Sequence, residues 1–314
     1  MRELDLQGKG TSVIEVRGLT KRYRGRAAVD DLSFEVQPGV VTGFLGPNGS
    51  GKTTTARMIL GLTHADAGRA TINGRSYREL SHPLRELGAL IDPGAVNTSR
   101  TAVEHLRWLA AANDITRSRA EVVLSLAGLD SVAGRKVGGF SLGMRQRLGI
   151  AAALIGDPPV LLLDEPINGL DPEGIRWIRA FMRGLADEGR TVFVASHLMS
   201  EMALTATALV VIGQGKLIAA ESMRAFTERA DNSVRVRSPQ LDEIAAALEL
   251  EGASLWRTGD VLEVVGVSIE QVGAVAARVG ATIFELSPQR ASLEDAFMQL
   301  TCDVAEFATH RKAS

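Results

Sequence analysis

Along the first third of the chain, apolar and polar positions alternate with period two and then change rhythm. Residues 13–16 and 32–36 place apolar side chains at every second position, as half-buried strands do. Pro38-Gly39 marks a turn, and residues 40–45 run apolar straight into a glycine-rich loop. The pattern predicts strand, loop and helix in that order. From about Asp92 to Gly156 it turns helical, and Thr101-Ala102-Val103-Glu104 is a capping box opening a helix that carries Leu106, Trp108, Leu109 and Ala112. Strand and helix then alternate: strands over 160–163, 191–195 and 208–212, helices after Pro172 and after His197. Such alternation predicts a parallel sheet with helices on both faces. Residues 210–219 read as a strand, a glycine turn and a returning strand.

The rhythm changes again after about Arg229. A strand over 234–236, a helix over 241–248 and a hairpin pairing 254–257 with 261–265 are followed by a second capping box at Ser268–Gln271. That box starts a helix ended by Gly280, and a last strand over 282–286 leads to a final helix from Ser292-Leu293-Glu294-Asp295. The order βαββαβ predicts a small α+β, ferredoxin-like domain. The expected organisation is a lead-in over 1–12, a first domain over 13–222, a linker over 223–232, a second domain over 233–303 and a tail over 304–314.

Composition narrows the class. At 314 residues the chain exceeds the usual size of one core, so two domains are expected. A formal charge of -2 argues against a nucleic-acid partner, which selects for basic surfaces. The single cysteine, Cys302, has no internal partner, which fits a reducing compartment and a packing role. The longest apolar run found, residues 149–156, falls far short of the ~20 residues a bilayer demands. Residues 1–10 are polar and lack a signal-peptide core. Any membrane work is expected to pass through a separate partner.

Five motifs carry the chemistry. Gly46-Pro47-Asn48-Gly49-Ser50-Gly51-Lys52-Thr53 puts glycines where backbone amides must wrap phosphates without a Cβ in the way. Lys52 is expected to reach the β- and γ-phosphates of a nucleotide, Thr53 to bind Mg²⁺, and Asn48, Gly49, Ser50 and Thr54 to complete the loop. In Leu161-Leu162-Leu163-Asp164-Glu165 an apolar strand ends in Asp164, expected to hold Mg²⁺ directly or through water, and Glu165, expected to be the general base for an attacking water. Ser196-His197 ends the next strand, placing His197 at the γ-phosphate, while His64, His82, His105 and His310 have no such context. Ser141-Leu142-Gly143-Met144-Arg145-Gln146 opens a helix with Ser141 as N-cap and Gly143 allowing close approach, a second anion site. Asn168-Gly169-Leu170-Asp171 is the fifth motif.

The order and spacing of these motifs resemble the ATP-binding cassette (ABC) ATPases, from about residue 13 to about residue 220. The resemblance implies a P-loop NTPase cassette: a RecA-like mixed sheet, an antiparallel β subdomain and a helical signature subdomain. It implies ATP and Mg²⁺ as cofactors, Tyr23 stacking on adenine, and Ser141 and Gly143 binding the ATP of an opposite subunit. Two chains, expected to be a homodimer, would then close head-to-tail around two nucleotides, with 168–171 at the seam and Asp171 coupling the two sites. The segment between Asp92 and Ser141 would receive separate transmembrane permease subunits, holding the chain at the cytoplasmic face of the membrane.

Two positions depart from that family. Its Leu-Ser-Gly-Gly-Gln signature reads Phe140-Ser141-Leu142-Gly143-Met144, a form that resembles exporter ATPases of the bacitracin and daunorubicin types. The glutamine that senses Mg²⁺ and water is replaced by Asp92, a shorter and charged side chain, which weakens it as a metal ligand and predicts slow or partner-dependent turnover. Ala291-Ser292-Leu293-Glu294-Asp295-Ala296-Phe297 is similar to the tail of daunorubicin-type drug exporter ATPases. The leading reading is therefore the ATP-hydrolysing subunit of a drug, antibiotic or lipid-like exporter. Two others stand beside it: a cassette ATPase acting on ribosomes or DNA, and a non-catalytic module using ATP as a dimer switch. One motif set, no heptad run and near-neutral charge disfavour the former. Intact Lys52, Asp164, Glu165 and His197 disfavour the latter.

Overall fold

In the computed structural model, which describes residues 13–230 and 233–289, the chain forms two compact units that divide between Ser222 and Met223. The first begins with a hairpin of β1 (Ile14–Tyr23) and β2 (Arg26–Val36), joined by Arg24-Gly25. Both turn residues have positive φ, 49° and 81°, the geometry that matches a two-residue turn to the twist of its strands. β1 runs well past the expected residue 16. Register shifts after Val16 interrupt the alternation but not the ladder, because Gly18 adopts φ 58°.

β3 (Val41–Leu45) is buried throughout and feeds the glycine loop and α1 (Lys52–Ile59). β4 (Ala67–Ile72) returns to pair with β1, completing an antiparallel layer in the order β2-β1-β4. A short α2 (Pro83–Glu86) leads to β5 (Leu87–Leu90). The segment after Asp92 is not yet helical. The Asp92 carboxylate and Asn97 amide oxygens accept the Gly94 and Ser99 amides at 2.7 and 3.0 Å, closing turns over 92–94 and 97–99 that oppose a helix. Helix begins at Thr101, whose capping box closes in both directions: the Glu104 amide donates to Thr101 Oγ1 at 3.3 Å and the Thr101 amide to Glu104 Oε2 at 2.9 Å.

Helices α3 (Ala102–Ala111), α4 (Arg119–Leu126) and α5 (Leu142–Ala153) form the helical part. Then follow β6 (Val160–Asp164), α6 (Pro172–Asp187), β7 (Thr191–Ser196), α7 (Met199–Ala203), β8 (Ala208–Gly213) and β9 (Lys216–Ser222). The central sheet has the order β5-β6-β7-β3-β8-β9. Its first five strands are parallel, and β9 returns antiparallel through Gln214-Gly215, at φ 50° and 81°. Phe34 of the antiparallel layer stacks on Phe44 and Phe193 of the central sheet, with ring centroids 5.4 and 5.7 Å apart. Such offset pairs bind the two sheets beyond their area burial. This mixed α/β architecture with an antiparallel layer and a helical insertion is the one the sequence predicts.

The second unit contains α8 (Met223–Ala230), inside the expected linker, then β10 (Ser233–Arg237), α9 (Leu241–Leu250), β11 (Ser254–Thr258), β12 (Val261–Val265), α10 (Ile269–Arg278) and β13 (Glu285–Gln289). All neighbouring strands are antiparallel, in the order β11-β12-β10-β13, the ferredoxin-like arrangement. Val236, Ile244, Leu248, Val264 and Val272 fill its core between sheet and helices. The last strand starts three residues later than expected and includes Pro288, tolerated because β13 is an edge. The lead-in 1–12, the motif 291–297 with its final helix, Cys302, His310 and the tail 304–314 lie outside the described residues.

Candidate active site

The site grows from the carboxyl ends of three adjacent strands. In the order β6-β7-β3, Asp164 pairs with Ala195, and Leu45 with Ser196, so their following residues converge at one rim of the sheet. β3 continues into the glycine loop, β6 into Glu165 and β7 into His197. A cleft of about 350 Å³ opens there, lined by Asn48, Gly49, Gly51, Lys52, Thr53, Thr54, Glu165 and His197 together with Ala28 and Asn168.

The loop needs its glycines for different reasons. Gly51 sits at φ 107°, and a Cβ there would lie 2.5 Å from the Ala28 carbonyl oxygen. A Cβ on Gly46 would lie 2.6 Å from the Ile212 carbonyl. From behind, the Gly215 amide donates to the Ser50 carbonyl at 3.0 Å, and the Asp30 amide to the Gly215 carbonyl at 2.9 Å. The β8–β9 turn thus clasps the loop against the antiparallel layer.

Lys52 is 6% exposed and bends back over the loop, donating to the carbonyls of Gly46 at 2.6 Å and Pro47 at 3.2 Å. Burial pushes its ammonium below the usual lysine range, against the pull of Glu165 and Asp164. Asp164 is 5% exposed, and burial pushes its carboxyl up, against a hydrogen bond from the Thr53 hydroxyl and with Glu165 adding to the rise. Its Oδ1 is buried without a hydrogen-bond partner. An orphaned carboxylate oxygen beside a hydroxyl is a donor set that fits a hard divalent cation. Among the described residues no three His, Cys, Asp or Glu side chains converge as a metal cluster, so phosphate oxygens and water would complete such a site.

Glu165 has φ 50°, a left-handed conformation that costs a non-glycine residue of order 1–3 kcal/mol. The neighbouring strand holds it: its amide donates to the Ala195 carbonyl at 2.9 Å. Its carboxylate meets His197 Nδ1 at 2.9 Å through both oxygens and lies 3.8 Å from Lys52 Nζ. From the opposite side Gln146, 1% exposed, donates to the Glu165 carbonyl at 3.0 Å. Gln146 closes the Ser141–Gln146 motif, and nothing in that pattern assigns it a role. Flanked by Arg145 and Arg147, Gln146 breaks no apolar run, so the sequence alone offered no signal for its inward direction.

Other expected residues stand apart from the cleft. Ser141 caps α5, accepting the Met144 amide at 3.2 Å, and a Cβ on Gly143 would lie 3.0 Å from the Gly169 carbonyl, so the close approach is to its own chain's 168–171 turn. Asp171 caps α6, accepting the Gly174 amide at 2.8 Å. Tyr23 ends β1, half-exposed, with Lys21 Nζ 5.5 Å from its ring centroid, and does not line the cleft. Asp92 does not line it either; Oδ1 of its carboxylate accepts the Gly94 amide. His105 is buried on α3, and burial lowers its pKa.

An Asp164→Asn chain tests the cation reading. It replaces a charge that burial disfavours, so the nucleotide-free protein should melt about 2–4 °C higher, a gain of roughly 1 kcal/mol. Magnesium-dependent ATP hydrolysis should be lost in the same variant. Unchanged melting by scanning fluorimetry would show that Asp164 is already satisfied without a ligand.

A family model described as ABC transporter matches residues 29–168, and one described as Domain of unknown function (DUF8746) matches 232–294. The chain is 35% identical over 302 residues to the uncharacterized ABC transporter ATP-binding protein YhcH of Bacillus subtilis (strain 168), covering 95% of this chain and 99% of that protein. It is 40% identical to the bacitracin transport ATP-binding protein BcrA of Bacillus licheniformis, covering 66% of this chain and 69% of the relative. Among solved structures, the dimeric structure of a bacterial ABC transporter cassette superposes with a TM-score of 0.62 at 24% identity, covering 67% of this chain and 99% of the cassette.

Proposed function

Since the chain belongs to the ABC transporter family of ATP-binding proteins and is an ATPase, we propose that it drives an exporter whose membrane-spanning subunits are separate chains. The observation that carries the reading is the convergence of Lys52, Thr53, Asp164, Glu165 and His197 on one cleft and its floor. An exporter of antibiotic-like or lipid-like cargo is supported by the likeness to a protein named for bacitracin transport.

Phosphates of ATP would lie against the amides of residues 48–54, at the positive end of α1. Lys52 would exchange the carbonyls of Gly46 and Pro47 for β- and γ-phosphate oxygens. Thr53 and Asp164 would hold Mg²⁺, which supplies charge neutralisation to the phosphates when bound. Glu165 accepts a proton from the attacking water at its carboxylate, and the contact from His197 Nδ1 fixes the direction in which that carboxylate faces. Asp92 stands off the cleft, with Oδ1 tied to the Gly94 amide, and would have to move to reach the cation, which supports slow turnover in the isolated chain.

The capped N-terminus of α5, with Ser141 and Gly143, lies outside its own cleft and is read as the contact to a partner's ATP. Head-to-tail closure of two copies is the corresponding motion, and ATP affinity for the closed form supplies the mechanical step. No helix among the described residues is long and apolar enough to cross a membrane, so attachment to the cytoplasmic face would run through the membrane subunit. Affinity capture of the tagged chain with ATP from detergent-solubilised native membranes tests this. A stoichiometric multi-helix membrane protein is the expected partner. Ribosomal or DNA-bound partners would move the reading to a non-transport ATPase.

A further inference from the structure

Gln146, Arg145 and Arg147 are consecutive on α5, and each is anchored to a different place. Arg145 donates to the Phe140 carbonyl at 3.2 and 3.1 Å. Arg147 donates to the Ala127 carbonyl at 3.1 Å and lies 4.4 Å over the Trp177 ring. Gln146 points between them into the protein and reaches the Glu165 carbonyl. That carbonyl also accepts the Asn168 amide at 3.2 Å, so two donors meet on the backbone of the residue whose φ is 50°. A left-handed glutamate persists only where its surroundings over-determine it. Three hydrogen bonds do so here: Ala195 on its amide side, Gln146 and Asn168 on its carbonyl side.

We propose that Gln146 is a positioning residue for hydrolysis: it fixes the backbone of Glu165 and makes the reach of that carboxylate depend on the helix capped by Ser141. The proposal rests on the reading of Glu165 as the general base. Gln146 does not line the nucleotide cleft, so it acts on the chemical step and not on ATP binding. Its geometry also joins two ends of one chain, because a shift of α5 on a partner's nucleotide would pull directly on the backbone of this chain's own base.

The test is a Gln146→Met chain, similar in size but without the donor, compared with wild type and with Glu165→Gln. Steady-state hydrolysis with ATP and Mg²⁺ should show kcat lowered about tenfold or more, the cost of a misplaced catalytic group. KM, the affinity for a fluorescent ATP analogue and the melting temperature should stay at wild-type values. Hydrogen exchange at the Asn168 amide should speed up, a readout that holds however slow the basal turnover is. Unchanged kcat and unchanged Asn168 exchange would overturn the proposal. So would kcat, KM and melting temperature falling together, the pattern of a purely structural role. Full activity in Glu165→Gln would instead overturn the base reading itself, which separates the two failures.

Discussion

Replacing Glu165 with glutamine is expected to lower kcat by about 10²–10⁴-fold, the usual contribution of a general base. ATP affinity should stay close to wild type, since on the proposed reading the loop, Lys52 and the start of α1 would hold the phosphates. The neutral amide keeps the size of the carboxylate and its place beside His197 but cannot accept the water's proton. ATP would then persist in the closed state. In size-exclusion chromatography this variant should elute as a dimer with ATP and Mg²⁺, and as a monomer with ADP. A variant that stays monomeric with ATP would exclude head-to-tail closure for this chain. One that turns over at a wild-type rate would place the base elsewhere.

Lys52→Ala should produce the second large effect, this time on binding. The ammonium is held in a buried socket made of the Gly46 and Pro47 carbonyls, and phosphate oxygens are the stronger acceptors for the same donors. Losing charge-assisted hydrogen bonds worth roughly 1.5–3 kcal/mol weakens ATP binding by about 10–150-fold. Calorimetric titration reads that change directly. Arginine is not a substitute, because its planar fork does not fit under two carbonyls that receive a single nitrogen. Affinity within a factor of two of wild type would mean that the loop amides alone carry the phosphates.

Residues 46–54, 164–165 and 197 were legible because each sits where a run of apolar strand ends, and such runs show plainly in a sequence. Pairing was less legible. β4 opens with Ala67-Gly68-Arg69-Ala70, weak strand formers, and exists because β1 offers it a ladder. β5 is four residues long, too short to declare a period. In the last strand, Thr282-Ile283-Phe284 has the stronger strand propensity, yet the Thr282 amide is taken by the Gln240 side chain and the ladder begins at Glu285. The tie between Gln146 and Glu165 was hidden for a different reason: nineteen residues separate them, and no pattern in either segment names the other. Tyr23 and Asp92 were placed by likeness to a family, and neither lines the cleft.

The β8–β9 turn has a practical consequence. Hairpin tips are the customary places to splice in a tag or a fluorophore, since little usually depends on them. Gln214-Gly215 is an exception: a Cβ on Gly215 would lie 2.8 Å from the Ala28 carbonyl, and both its backbone polar groups are engaged with the phosphate loop and the strand beside it. A label inserted there would pry at the nucleotide before reporting on anything. At the β11–β12 tip the engaged groups, the Gly259 carbonyl with Arg257 and the Asp260 carboxylate with Arg237, belong to the second unit itself, so a label inserted there disturbs those contacts and not the clasp on the phosphate loop.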